Sequence, residues 1–435
     1  LDEPTVEAAD ILGLSFDAVG NHELDDGADE LLRIQHGGCH PVDGCATDRI
    51  YPGARFRILA ANVIETATGD PLFPGSAIRR FGAARIGFIG VVTRTVPTLV
   101  SPESLAGLTI LDEATSVNKE VAKLREKGVE AIVVLVHEGG WQTGDIDECT
   151  GASGPILDIA ARIDPAVDVI ISGHTHQAYR CELDGRLVTS AKSFGRLVTR
   201  IDLTIDRKTG DVVAHDADNL IVTRDVTPAP DEESLVSRWK ALADPIAEQV
   251  VGSIAAPISA TQSASGQAPA GNLIADARLD ELADQGAVAA FISGGSVRSD
   301  LEGSAADGSG DVSYADLYAM QPWGNTMATV ELTGAQLDAL LEEQFDNPSP
   351  GEQRWLQVSH GFTYSWSASA PAGQHVDPAS IAIDGVTVDP DATYRVALDS
   401  FLASGGDGFT VFTEGADLVG GPLELDVLEA WFEGQ

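Results

Sequence analysis

In the first half of the chain, hydrophobic residues recur first at helical spacing and then in unbroken runs. Val117, Val121 and Leu124 are spaced for one face of a helix, Gly128 closes that helix, and the apolar run Ala131–Val136 follows as a strand. Unbroken apolar strands are typical of a sheet that is buried on both faces. The pattern therefore predicts the α/β fold class.

The same order of helix and strand occurs twice more in this half. Helical spacing precedes a strand in two segments: Ile156, Ile159, Ala160 and Ile163 before Val167–Ile171, and the helix Thr5–Leu12 before Phe16–Val19. Ligands of such folds bind at the carboxyl ends of the strands. The residues that directly follow these strands are therefore the first candidates for a site.

The chain length and a break in the pattern predict two domains. A chain of 435 residues is too long for one core. The pattern breaks at Thr227–Pro230, and the acidic Asp231–Glu233 begins a helix that runs past Trp239 toward Pro245. We expect a first domain over 1–226, a kinked linker helix over 227–253 and a second α/β domain over 254–435.

The charge of the chain excludes one class of partner. It has 67 acidic and 27 basic residues, a formal net charge of −40. Such a field repels nucleic-acid backbones, so we expect no nucleic-acid binding through a basic patch. No apolar run approaches the roughly 20 residues of a membrane span, so we expect no transmembrane segment in this chain.

Four cysteines favour an oxidising compartment. They are Cys39, Cys45, Cys149 and Cys181, and they contain no Cys-x-x-Cys pair. We expect the disulfides 39–45 and 149–181, with four free thiols as the alternative. A Cys/His metal knot around Cys39 is the less favoured interpretation because its spacing is poor for zinc. We therefore expect a secreted or cell-surface protein, although no signal peptide is visible.

Metal-ligand side chains follow three of the predicted strands. Asn21 follows the first of these strands, His137 ends the second, and His174 and His176 follow the third after Gly173. Imidazole and amide oxygen suit zinc or manganese, and two such ions about 4 Å apart cleave phosphate esters. The alternatives are a capping Asn in an ordinary turn and buried, hydrogen-bonded histidines. Since all the patches follow strands, we expect one cluster at one edge of a sheet.

A histidine beside the first patch suggests acid–base chemistry. His22 neighbours Asn21 and points elsewhere, and Asp25 follows three residues later. A carboxylate at that distance can hold and polarise the imidazole. The alternative is a surface histidine in an ordinary turn.

In the second domain the candidate residues suggest recognition rather than reaction. Trp323 and Phe401 lie beside glycines and are able to clamp a flat base, with local core packing as the alternative. Asp407 in a tight glycine turn is able to accept hydrogen bonds from ribose, or simply stabilises its turn. Arg298 and, less surely, Arg278 supply the positive charge that a phosphate needs.

Together these residues resemble the secreted 5′-nucleotidase family, which includes bifunctional metallophosphatases, UDP-sugar hydrolases and 2′,3′-cyclic-nucleotide phosphodiesterases. The resemblance covers nearly the whole chain. It rests on six motifs in order: Gly20–Glu23, the strand end at His137, Gly173–His176, the bend Gly294–Arg298, Pro322–Asn325 and Ser404–Phe409. It implies a calcineurin-like metallophosphoesterase αββα sandwich plus a C-terminal α/β nucleotide-binding domain.

The resemblance also implies roles for the candidate residues in the first domain. Asn21, His137 and His174 would bind one of two divalent metals, zinc, manganese or similar, and His176 would help bind the other. The catalytic dyad would be His22 with Asp25.

In the second domain, the resemblance implies a nucleotide site. Trp323, at a place that the family usually fills with Phe, would form a base sandwich with Phe401, while Asp407 would bind ribose. Arg298 and Arg278 would meet phosphate. Ser293 departs from the family, which usually has Asn at this position near the phosphate.

Another departure bears on activity. The family has an Asp-x-His and a Gly-Asp metal motif upstream of the first patch, and this chain contains neither. We therefore expect an N-terminally truncated form that is weak or inactive. The predicted function is metal-dependent hydrolysis of nucleotides such as AMP or UDP-sugar by a monomer or dimer. The alternatives are a noncatalytic nucleotide-binding protein and, disfavoured by the charge, an extracellular nuclease of related fold.

Overall fold

The protein has a mixed α/β structure, as predicted, in two compact units. The computed structural model describes residues 2–42, 44–100, 104–306, 308–347 and 351–434. Unit 1 comprises Leu1–Trp239 and unit 2 comprises Lys240–Gln435. The division falls inside the helix Pro230–Ala247, within the segment that the sequence suggested as a linker.

Unit 1 alternates helices and strands in the order that the hydrophobic pattern predicts. Its helices are α1 (Glu3–Leu12), α2 (Gly27–His36), α3 (Glu113–Glu126), α4 (Pro155–Arg162) and α5 (Pro230–Ala247), the last reaching into unit 2. Its strands are β1 (Phe16–Ala18), β2 (Arg57–Leu59), β3 (Val63–Glu65), β4 (Ser76–Phe81), β5 (Ala84–Val92), β6 (Leu108–Ile110), β7 (Ala131–His137), β8 (Val169–Ser172), β9 (Ala178–Leu183), β10 (Arg186–Ala191), β11 (Leu197–Ile205) and β12 (Val212–Ile221). The predicted elements are present, with their ends displaced by a few residues.

A six-stranded sheet places the candidate site. Its order is β4-β5-β7-β8-β10-β9, in which β5, β7, β8 and β10 run parallel. Val92 is opposite His137, Val136 is opposite Ser172, and Ser172 is opposite Ser190. The carboxyl ends of β7, β8 and β10 therefore meet at one place, which we call the carboxyl edge.

Both faces of this sheet are covered, which explains its unbroken apolar strands. Helices α3 and α4 pack on one face through residues such as Val121 and Ile159. The hairpin β11–β12 covers part of the other face through Ala217, and β1 adds Phe16, whose ring centroid lies 4.8 Å from that of Phe88. Helices α1 and α2 then pack outside β1 and β2. The layers follow the predicted αββα order.

The expectation that all three metal-ligand patches follow strands of one sheet is wrong for the first patch. Strand β1 pairs with β2 in a separate two-stranded sheet, in register Phe16↔Arg57. Of the three strands that precede the metal-ligand patches, only β7 and β8 belong to the central sheet, where they are neighbours. The site therefore joins two layers of the sandwich, because β1 packs across the face of β5 and β7 instead of beside them.

Unit 2 is built around a mixed five-stranded sheet of order β17-β14-β21-β16-β22, with an apolar core on each face. Its helices are α6 (Pro269–Leu282), α7 (Tyr314–Met320), α8 (Gly334–Glu342), α9 (Ser400–Ala403) and α10 (Glu424–Glu433). Its strands are β13 (Val250–Ile254), β14 (Ala289–Ser293), β15 (Gly310–Ser313), β16 (Thr326–Thr333), β17 (Leu356–Val358), β18 (Phe362–Thr363), β19 (Ala382–Ile383), β20 (Val386–Thr387), β21 (Thr393–Asp399) and β22 (Ala416–Leu423).

Both predicted disulfides are present. Cys39 pairs with Cys45 and Cys149 pairs with Cys181, with Cα atoms 4.4 and 5.1 Å apart. Within the described residues, no helix combines the length and the apolar character that crossing a membrane requires.

Candidate functional site

Three of the four predicted metal ligands lie together at the carboxyl edge of unit 1. Asn21 is buried, and its Oδ1 lies 3.0 Å from Nε2 of His137. The ring centroids of His137 and His174 are 5.1 Å apart, with the ring planes inclined by 59°. The structure therefore brings these three side chains together, while their role as ligands stays a prediction.

Glycine at position 20 allows this close approach. A Cβ atom there would lie 2.8 Å from Cε1 of His137 and 2.5 Å from Oε2 of Glu23, so any side chain would collide. The Gly20 amide instead donates to Oε2 of Glu23 over 2.6 Å. Glu23, to which the sequence analysis gave no role, thus closes the turn that presents Asn21. In the sequence, this role of Glu23 was indicated only by a carboxylate three residues after a glycine at a strand end.

The electrostatic environment keeps His137 neutral. Burial, together with the neighbouring His174, His22 and His176, lowers the pKa of His137 to about 3. A histidine must be neutral to offer a nitrogen lone pair to a metal. His137 is therefore already in its ligand-competent state at physiological pH.

The two members of the predicted dyad are in contact. Asp25 Oδ2 lies 2.8 Å from His22 Nδ1, and both side chains are exposed. A carboxylate on Nδ1 fixes the orientation of the ring and favours the tautomer with its proton on that nitrogen. The arrangement meets the geometric requirement of a dyad, and the catalytic role stays a prediction.

His176 has a different neighbour from the other three residues. It is exposed, and its ring meets the edge of the Phe194 ring at a centroid distance of 5.5 Å. Both His174 and His176 have positive φ angles, 67° and 56°. Such backbone costs energy in residues other than glycine and is found most often at functional sites. The proposed second-metal role of His176 stays a prediction.

Glu138 is a second supporting carboxylate that sequence reasoning did not assign. It is buried directly after β7, its Oε1 accepts from the Gly139 amide at 2.8 Å, and its Oε2 accepts from the Thr93 hydroxyl at 2.7 Å. Thr93 also donates its amide to the carbonyl of His137 over 3.0 Å. The pair ties the ends of β5 and β7 together. A charged residue at the end of an apolar strand was the signal for it.

A third carboxyl lies close to the turn. Burial and the neighbouring Glu23 carboxylate raise the pKa of Asp17 to about 7, although the Ala18 amide donates to it over 3.0 Å. Burial also raises the pKa of Glu23. The surroundings of this corner therefore favour the neutral form of Asp17.

The donors present suit one side of a divalent-metal site. Amide oxygen and neutral imidazole are the donor types that zinc and manganese accept. Among the described side chains, however, no group of three or more His, Cys, Asp or Glu residues is arranged to hold an ion. The cluster therefore fits part of the predicted coordination set rather than all of it.

In unit 2, the structure corrects the expectation for Arg278. Its side chain is 1% exposed, and its two terminal nitrogens lie 2.7 Å from Asp399 Oδ2 and 2.7 Å from Glu424 Oε2. A guanidinium that is buried on two carboxylates cannot reach a substrate phosphate. Arg278 supports the core of unit 2 instead.

Asp407 is buried and already has partners. Its Oδ1 lies 2.7 Å from Nη1 of Arg354, and its Oδ2 accepts from the hydroxyl of Ser293. The backbone carbonyl of Asp407 accepts from Asn347 at 2.9 Å. Arg354 was missed because nothing in its sequence neighbourhood distinguishes it. The ribose role of Asp407 stays a prediction. The hydroxyl of Ser293 donates to Asp407, so Ser293 would affect the site by holding that carboxylate.

The two aromatic candidates of unit 2 are each held by neighbouring residues, and Phe401 belongs to the short helix α9. Trp323 donates its indole N–H to the Ser296 carbonyl over 2.8 Å, and the guanidinium of Arg298 lies 4.9 Å from its ring centroid. Phe401 lies so close to Gly406 that a Cβ there would be 2.6 Å from its ring. Arg298 and Trp323 are thus brought together, and the base sandwich stays a prediction.

Comparison with known proteins identifies relatives of both halves of the chain. Residues 250–414 match the family model described as 5′-nucleotidase, C-terminal domain. The chain is 34% identical over 98% of its length to the endonuclease YhcR of Bacillus subtilis and 30% identical over 96% to the cell wall protein Lmo0130 of Listeria monocytogenes. It spans only 33% and 55% of those two proteins.

A solved structure supports the fold assignment for the whole chain. The crystal structure of a 5′-nucleotidase precursor from Thermus thermophilus is similar with a TM-score of 0.79 and 26% identity. The similarity covers 100% of this chain and 83% of that one.

Proposed function

Because the chain belongs to the 5′-nucleotidase family, we propose that it hydrolyses the phosphate ester bond of nucleotides. The observation that carries the proposal is the contact of Asn21 and His137 beside His174 in unit 1. In the same chain, residues 250–414 match the family's C-terminal domain. Phosphoester chemistry and nucleotide recognition would thus be divided between the two units, with 227–253 as the linker.

Metal binding is the first part of the proposal. Asn21, His137 and His174 would hold a divalent ion, and His176 would contribute to a second. Bound divalent ions supply Lewis-acid polarisation of the phosphoryl oxygens. The contribution of the protein is a buried amide and a neutral imidazole, held in place by Gly20 and Glu138.

The dyad is the second part of the proposal. Asp25 holds Nδ1 of His22, so Nε2 is the atom that would meet the ester oxygen. In its protonated form, with one N–H on Asp25 and the other at Nε2, the imidazole would stabilise negative charge as it grows on that oxygen and give its Nε2 proton to the leaving group. The nucleoside would leave through its 5′ oxygen.

Nucleotide recognition is the third part of the proposal. Trp323 and Phe401 would stack on the base, Asp407 would accept from ribose hydroxyls, and Arg298 would meet phosphate. The partners that the structure gives Asp407 and Trp323 support preformed side-chain positions. Preformed positions lower the cost of ordering side chains on binding.

We also propose that the protein acts outside the cytoplasm, secreted or at the cell surface. Two disulfides support an oxidising compartment. The similarity to a cell wall protein points the same way. A monomer or a dimer is compatible with the proposed activity.

The test is release of inorganic phosphate from AMP, and of UMP and glucose 1-phosphate from UDP-glucose, with Mn²⁺ or Zn²⁺ and with a chelator. We expect turnover that the chelator abolishes and that His137→Ala lowers by at least about 100-fold, as for loss of a group that orders a metal site. Turnover that survives both the chelator and His137→Ala would contradict the proposal.

A noncatalytic nucleotide-binding protein is the second candidate. The absence of a complete His/Cys/Asp/Glu group among the described residues favours it. The distinguishing result is AMP binding, measured by calorimetry, without phosphate release at any metal concentration.

Nicking of plasmid DNA under the same metal conditions, followed on an agarose gel, tests the activity named for YhcR. The −40 net charge predicts no cleavage by this chain at physiological salt.

A further inference from the structure

An exposed aromatic and a basic residue stand beside the candidate metal cluster without a part in the chemistry described so far. They belong to the loop Lys192–Arg196, which follows β10. Because β10 runs parallel to β8, with Ser190 opposite Ser172, this loop begins at the carboxyl edge. The Lys192 amide donates to the Gln177 carbonyl over 2.9 Å, which fixes the loop against the segment that carries His176.

The aromatic residue of this loop is held out of the core. Phe194 is 73% exposed, whereas the other phenylalanines of the described chain are less exposed or buried. Its ring meets His176 edge-on at 5.5 Å, and the guanidinium of Arg196 lies 5.2 Å from its centroid. A cation over an aromatic ring makes a surface that is both flat and positive. We call Phe194 and Arg196 the platform.

Backbone strain is concentrated at the same place. Among the described residues other than glycine, nine have positive φ angles, and five of these are aspartates, which tolerate that conformation. The remaining four all lie at this edge: His174, His176, Lys192 and Phe194. Strain of this kind persists mainly where the surrounding structure fixes it, and it clusters at functional sites. Phe194 gains no burial in return for its strained backbone.

The loop carries basic side chains and no acidic ones. Residues 190–201 contain Lys192, Arg196 and Arg200 but no aspartate or glutamate, in a chain of net charge −40. Arg200 is paired with Asp202 and Asp218, which leaves Lys192 and Arg196 as the basic groups of the loop. A local positive region in so acidic a protein favours an anionic ligand.

We propose that the platform is a second recognition subsite, which binds the ring-bearing group on the far side of the phosphate being cleaved. Among diesters and diphosphates, it would favour substrates whose second half carries a planar ring. The proposal rests on the proposed hydrolytic function. Water adds to phosphorus, the bond from phosphorus to the leaving oxygen breaks, and that oxygen takes the proton. The platform changes which diesters bind and takes no part in these steps.

The experiment compares bis(p-nitrophenyl) phosphate, which has two planar rings, with p-nitrophenyl phosphate, which has one. We expect Phe194→Ala and Arg196→Gln to raise KM for the diester about 10-fold, the usual scale for loss of one stacking contact. KM for the monoester and kcat for both should not change, and Phe194→Tyr should keep the wild-type KM.

The chain offers a matched control. Phe81 is half exposed under the guanidinium of Arg79 at 5.4 Å, but it lies at the turn between β4 and β5, at the opposite end of the sheet. Phe81→Ala should leave both KM values unchanged. Equal rises of KM for monoester and diester in Phe194→Ala, or no rise for either, would overturn the proposal.

A binding measurement separates this proposal from the proposed function. In the presence of a chelator, saturation-transfer NMR should show the diester rings in contact with the wild-type protein and with Phe81→Ala, and not with Phe194→Ala. If the wild-type protein hydrolyses nothing but this pattern holds, the platform stands and the hydrolytic function fails. If hydrolysis occurs and the NMR signal is the same in Phe194→Ala, the platform fails and the function stands.

Discussion

Candidate charged residues in the two units have different surroundings. In unit 2, Arg278 is shared between Asp399 and Glu424, and Asp407 is held by Arg354, so these two have internal partners. In unit 1, burial and the neighbouring Glu23 carboxylate raise the pKa of Asp17, with no basic group among the causes. These two candidate residues of unit 2 are engaged within their unit, whereas Asp17 of unit 1 has surroundings that favour its neutral form.

The backbone shows the same contrast. The carboxyl edge of unit 1 contains the described histidine, lysine and phenylalanine residues with positive φ, whereas in unit 2 such non-glycine residues are aspartates. The positive-φ histidine, lysine and phenylalanine residues of unit 1 thus lie at the edge that carries the candidate metal ligands. Four predictions test this contrast.

The greatest loss should follow disruption of the buried network of unit 2. Arg278→Met leaves two buried carboxylates without their cation, so we expect the free energy of unfolding to fall by about 3–5 kcal/mol, measured in urea. Arg298→Met, at an exposed residue, is the control and should change it by less than about 1 kcal/mol. A loss of similar size in both variants would contradict a buried network.

His22→Ala should act on catalysis alone. Because the ring is exposed and bound to Asp25, we expect kcat for AMP to fall about 100-fold, with unchanged free energy of unfolding and metal content. Asp25→Asn should have an effect in the same direction. Loss of bound metal in proportion to activity, measured by mass spectrometry, would assign His22 to the metal site instead.

Trp323→Ala should affect binding in unit 2. Loss of one stacking face predicts a KM for AMP about 10-fold higher with little change in kcat. Trp323→Phe restores an aromatic face and should recover most of the affinity. An unchanged KM in the alanine variant would limit Trp323 to its contacts with Ser296 and Arg298.

The smallest effect is expected for Asp17→Asn, which should change how the stability of the protein depends on pH. The folded-state pKa of Asp17, about 7, lies above its ordinary value of 3.8, so the folded state holds the proton more tightly than the unfolded state. Wild-type stability therefore falls as pH rises from about 4 to about 7. The variant should be more stable than wild type at pH 8, with a higher Tm, by on the order of 1 kcal/mol or less because Asp17 is partly exposed. If the stability difference between the variant and wild type were equally large at pH 4, titration of Asp17 would not be its cause.

Much of unit 1 was predictable because its signals are local. The period of Val117, Val121 and Leu124 and the unbroken run Ala131–Val136 are direct consequences of burial on one face or on both. The placement of β1 in a separate sheet was not predictable, because a three-residue strand carries no record of its partner. Phe194 was missed because exposure depends on the fold and not on residue type.

The candidate sites show the same division. Glycine, histidine and asparagine at strand ends identified the cluster in unit 1. Arg278 was misassigned because a guanidinium gives no local sign of which carboxylates it will meet, and Asp399 and Glu424 lie 121 and 146 residues away in the chain. Sequence patterns thus indicate which groups can react, and long-range folding decides which are already engaged.

The Cys149–Cys181 bond has a consequence for how the protein matures. Its two cysteines are 32 residues apart, and α4, β8 and the Gly173–His176 segment all lie between them. Covalent closure of such a loop removes conformational freedom from the unfolded chain, on the order of 3–4 kcal/mol in the chain-entropy description. Oxidation would therefore tether the histidine segment, and a chain produced under reducing conditions would carry the same residues on an open loop.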